Sequence, residues 1–110
     1  MNIDNNITDS QWHDLVNAVE THVSEAAINK DRIYTYEDNK RTGIYDNYDH
    51  CYSPGLVLER GKLFAWSNSE LDKAPISFST GMNIAQNFFN EKGSEIAEEI
   101  VCDYVMDNNH

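Results

Sequence analysis

Four carboxylates near the end of the chain, Glu95, Glu99, Asp103 and Asp107, recur at intervals of four residues. On a helix that interval sets them about 6 Å apart along the axis, on a stripe that drifts slowly around it. Glu98 lies beside the stripe and Glu91 just ahead of it, and no basic residue falls between Glu95 and Asp107. Like charges at this spacing destabilise a helix by a few tenths of a kcal/mol per pair. What such an array can do is hold cations, such as the lysine and arginine side chains of a partner. The ordinary reading of a charge run is a solvated face. Against it stands the lack of Lys or Arg at the i+4 positions, which a helix kept only for stability would normally use.

No other constellation carries chemistry as well. His50 and Cys51 are adjacent, but neighbours on an extended strand point to opposite sides, which is poor geometry for a Cys–His nucleophile. A working histidine would have to come from His13 or His22. The four histidines, at 13, 22, 50 and 110, show none of the spacings of a zinc site. Asp46, Asp49 and His50 can be drawn together as a carboxylate site, but their surroundings are not a calcium-binding loop. Glycine-rich phosphate loops and nucleophile-elbow motifs are absent. The residues therefore predict a non-enzyme, with no metal and no cofactor.

The chain has 110 residues, 19 acids against 8 bases and a net charge of −11. That length predicts one domain over residues 1–110, with a modest core and with residues 1–6 and 108–110 frayed. The charge repels nucleic acid and anionic membranes, so a partner recruited electrostatically should be basic. Cys51 and Cys102 form no C-x-x-C pair, and Met1–Asn6 has neither the basic nor the apolar region of a signal peptide. No apolar run reaches the length of a membrane span. These features predict a cytoplasmic protein with reduced thiols.

The elements that must carry the acids follow from periodicity. Thr8-Asp9-Ser10-Gln11 is a capping box. Trp12, Leu15, Val16, Val19, Val23, Ala26 and Ala27 then recur at helical spacing to about Ile28,. Arg32–Glu37 alternates as a strand, Asp38–Gly43 reads as a turn, Ile44–Tyr48 as the returning strand and Asp49–Gly55 as a loop,. Leu56–Glu59 and Lys62–Trp66 flank Arg60-Gly61, a two-residue hairpin signal, and Ile76–Ser79 is a short last strand,. Thr80 is placed to cap a helix holding Ile84, Ala85, Phe88 and Phe89, with Gly93 as its stop and Ser94 capping the acidic helix,. The order predicts an α+β fold: an N-terminal helix, an antiparallel meander of about four to five strands and two C-terminal helices packed with the sheet. Tyr34, Tyr36, Tyr45, Tyr48 and Tyr52 crowd into the strand region. Such alternation is more often sheet-face packing than recognition, although tyrosine mixed with Asp and Asn is also a common contact composition.

Charge is unevenly spread. Residues 1–29 carry −5, residues 30–87 carry −1 and residues 88–110 carry −5. If the terminal helices packed side by side on one sheet face, their outward sides would make one continuous negative surface; the inner face of the last helix is Ile96, Ile100, Val101, Tyr104 and Val105.

In size, α+β order and acid-rich terminal segments (Asp9, Asp14, Glu20 and Glu25 with Glu91, Glu95, Glu98, Glu99, Asp103 and Asp107), the chain resembles the small acidic bacterial and phage proteins that imitate DNA, and most of all the monomeric, HU-binding kind. The resemblance covers the whole chain loosely and has no short motif. It implies a monomer whose carboxylates Asp14, Glu20, Glu25, Glu91, Glu95, Glu98, Glu99, Asp103 and Asp107 bind the DNA-binding face of a basic, histone-like protein and compete with DNA. The rival expectation is an immunity or inhibitor protein that neutralises a basic nuclease toxin or a phage-defence effector with the same surface. Neither binds nucleic acid directly.

Overall fold

The structure, a computed structural model, describes residues 4–25, 33–37, 41–46, 54–66 and 73–108. Its order is α1 (Asp9–Glu25), β1 (Ile33–Glu37), β2 (Arg41–Asp46), β3 (Gly55–Glu59), β4 (Lys62–Trp66), β5 (Ala74–Pro75), α2 (Phe78–Gln86) and α3 (Glu91–Asn108). The strands form one antiparallel meander in the order β1-β2-β3-β4-β5. The α+β fold with an N-terminal helix and two C-terminal helices is thus the one the periodicity predicts.

Helix α1 begins as its capping box requires. The Gln11 amide N–H donates to Thr8 Oγ1 at 3.1 Å, and Gln11 Oε1 accepts from the Thr8 N–H at 2.9 Å. Its stripe of Trp12, Leu15, Val19 and Val23 is buried. The expected continuation to Ile28 lies outside the described residues, as do the turn at 38–40, the loop at 47–53 and Cys51.

Register sorts the sheet into two faces. Ile44 pairs with Leu56, Leu56 with Ala65, Leu58 with Leu63 and Ala65 with Ala74. These residues share one core with Trp12, Leu15, Val19, Ile84, Ala85, Phe88, Ala97 and Val101 from the helices. All three helices therefore cover the same face. On the opposite face Val57 pairs with Phe64, and the Tyr45 ring meets Trp66 edge-on at 4.6 Å. Tyr45 lies across Gly55, where any Cβ would strike its ring, so Gly55 opens β3 and is not loop. Strand β2 likewise starts at Arg41, earlier than the turn pattern suggests, and places Gly43 opposite Tyr36.

The predicted boundaries shift elsewhere too. Asn5 and Asn6 are not frayed: Asn5 is 7% exposed, its side-chain amide donates to the Leu63 carbonyl at 3.1 Å, and Asn6 bridges to Lys62. The backbone of residues 5–7 thereby covers the edge of β4 beyond the short β5, with Leu63 N–H on the Asn5 carbonyl and Ile7 N–H on that of Gly61. Strand β5 is Ala74–Pro75, not Ile76–Ser79, because the Ser77 hydroxyl accepts the Thr80 N–H and starts α2 three residues before the expected Thr80 cap. Phe88 and Phe89 fall past the end of α2, in the turn to α3. Gly93 does not stop a helix, and Ser94 does not cap one. Asn90 caps α3 instead, with Oδ1 accepting from the N–H groups of Lys92 at 3.0 Å and Gly93 at 3.3 Å.

Gly93 is needed for space. A Cβ there would run into the carbonyl of Asn87 and lie 3.3 Å from Phe88 Cα, all backbone atoms. At Gly81 the nearest obstacle is the tip of a side chain, Leu63 Cδ2 at 2.7 Å. Gly93→Ala is expected to lower unfolding free energy by roughly 1–3 kcal/mol in urea titration. Gly81→Ala should still destabilise but cost less, because the obstacle there is the end of a side chain and at Gly93 it is backbone. A larger loss at Gly81 than at Gly93 would contradict this packing. In the β3–β4 hairpin both turn residues have positive φ, 53° at Arg60 and 76° at Gly61. This is the conformation of an Asn-Gly turn. Arg60→Asn should therefore raise the thermal midpoint, by the equivalent of about 0.5–1 kcal/mol.

Candidate functional site: the acidic faces of the first and last helices

The acid-bearing helices are positioned through α2. Both α1 and α3 pack on α2, and neither packs extensively on the other; α3 also lies against β4 and β5. This corrects the expectation of terminal helices side by side. The helix that adjoins both, Phe78–Gln86, contains no charged residue and exposes Ser79, Asn83 and Gln86. The negative surface is therefore two groups of carboxylates on the two helices that adjoin an uncharged one.

The two groups differ in density. On α1, Asp14, Glu20 and Glu25 are all exposed. Asp14 and Glu25 are eleven residues apart, which on a helix puts them about 16 Å from each other in nearly the same direction. Glu20 leaves the helix from its flank. On α3, Glu91, Glu95, Glu99, Asp103 and Asp107 are exposed and Glu98 is half-buried. The row from Glu95 to Asp107 climbs about 18 Å and turns roughly 120° around the helix. Because Asn90 caps α3, Glu91 joins the helix at its first position, four residues ahead of Glu95. That extension was legible in the sequence as an asparagine followed by an acid, the usual start of a helix.

None of these nine carboxylates has a hydrogen bond or ion pair among the described residues, and neither does the side chain of Lys92, the one base on α3. An ion pair does form elsewhere, between Lys73 and Glu59 at 3.1 Å, on the sheet. Four i,i+4 repulsions along α3 cost roughly 1–2 kcal/mol together. Asp107 adds to this, since it stands in the last turn of the helix, where the dipole disfavours anions, and no base occupies that turn,.

The inner face of α3 is shorter than its apolar pattern. Ala97 and Val101 are buried and Ile96, Ile100 and Val105 are partly buried, but Tyr104 is 37% and Met106 69% exposed. Tyr104, expected to face inward, sits at the rim instead, while its neighbour Val105 packs against the core.

The other sequence candidates fall partly outside the described residues. Among the described residues no group of His, Cys, Asp and Glu is arranged to hold a metal ion. Asp46 is buried at the end of β2; Asp49, His50 and Cys51 lie outside the described residues. Cys102 is a half-buried free thiol. His13 is exposed, and His22 stacks on Phe89 at 5.7 Å with Nε2 buried and unpartnered. Among the described residues no helix is long and apolar enough to cross a membrane.

Comparison with known proteins finds no matching family, no matching characterised relative and no matching solved structure. Function must therefore be read from this surface alone.

If the acids of α3 have no internal partner, replacing one with a base should help the helix. Glu99→Lys converts repulsions with Glu95 and Asp103 into attractions and is expected to stabilise the fold by roughly 0.5 kcal/mol or more at low salt. Thermal or urea unfolding measures it. A clear loss of stability would mean that Glu99 serves the fold.

Proposed function

We propose that this protein is a DNA mimic: its acidic helices bind the DNA-binding face of a basic protein, of the histone-like HU type, and compete there with DNA. One observation carries the reading. Asp14, Glu20, Glu25, Glu91, Glu95, Glu98, Glu99, Asp103 and Asp107 have no cationic partner among the described residues, although along α3 the repulsion from Glu91 to Asp107 costs stability,.

The physical match is with the phosphate backbone. A DNA strand presents a phosphate about every 3.4 Å along the axis. A step of about 6 Å along α3 meets roughly every second one. A row of residues four apart winds right-handed around an α-helix, the same hand as a strand of B-DNA. It winds more slowly, once in about 54 Å against about 34–36 Å. The row therefore fits a short stretch of backbone, enough for several lysines and arginines. Proteins contact phosphates through such side chains without reading sequence, so a row of carboxylates on a folded scaffold can satisfy the same groups. Packing against α2 and the sheet holds the backbone of α3 in place before binding, which limits the ordering cost.

The test is competition. Added to a labelled DNA duplex bound by an HU-type protein at about 50 mM salt, this protein should displace the DNA, and its direct binding to the HU-type protein should weaken as salt rises to several hundred millimolar (roughly a tenfold range). Direct binding that is indifferent to salt, or no displacement at low salt, would sink the reading. Displacement from a basic nuclease but not from an HU-type protein would move it to the inhibitor class.

A Glu99→Lys, Asp103→Lys variant, checked for an intact fold by circular dichroism, should compete at least about tenfold less well. That is a loss of roughly 1.4 kcal/mol of binding. Unchanged competition would remove α3 from the interface.

A further inference from the structure

We draw no further inference here: the strongest candidate, the sheet face turned away from the helices, where Tyr45 meets Trp66 and Val57 pairs with Phe64, carries nothing because nothing among the described residues shows what covers it.

Discussion

The helix layer depends on how closely α2 comes down on β4. At position 81 there is no side chain, so the backbone of α2 rests against Leu63, which is fully buried. Leu15 of α1 and Ile76 reach the same point, each within 4 Å of where a Cβ would stand. Leu63, Leu15 and Ile76 thus meet at the space that Gly81 leaves open. Ser77 follows Ile76 at once and turns the chain from β5 into α2, so the strand can be only two residues long. From the far end of α2 the turn through Asn87 and Asn90 delivers α3 onto β4 and β5. Gly93 allows this turn to be tight, because α3 passes directly over the Asn87 carbonyl.

That arrangement sets which faces reach water. With Ala97 and Val101 pressed inward, all the acids of α3 but the half-buried Glu98 are exposed, and the same holds for Asp14 and Glu25 opposite Leu15 and Val19 on α1. Burying a side chain such as Phe88 or Leu15 contributes about 1.5–3 kcal/mol each. A core of this kind can therefore tolerate the roughly 1–2 kcal/mol of repulsion along α3. No ion pair among the described residues ties these acids to the fold; the fold holds them in a row.

Local pattern in the sequence was enough for α1, for the Arg60-Gly61 hairpin and for the α+β order, because each rests on nearest neighbours: a capping box, a period of 3.6 or 2, a two-residue turn. The exposed carboxylates were legible for the same reason, since an acid on the far side of an apolar stripe has one place to point. Boundaries were less so. Ser77 and Thr80 both suit a cap, as do Asn90 and Ser94, and only the path into and out of α2 selects the first of each pair. Gly93 reads as a helix stop in isolation and is in fact a clearance for the Asn87 carbonyl, a contact that exists only once α2 and α3 meet.

The chain alone establishes that its negative charge lies in the two terminal segments and on the outer sides of their helices, since composition and periodicity are properties of the sequence. It does not establish how those helices stand to each other. That comes from long-range packing: α2 adjoins both α1 and α3, and Gly81 lies against Leu63 and Leu15. Asn5 shows the same division. Polar and near the start, it reads as frayed, yet its amide and backbone complete the edge of β4 at Leu63, a partner fifty-eight residues away that no local signal names.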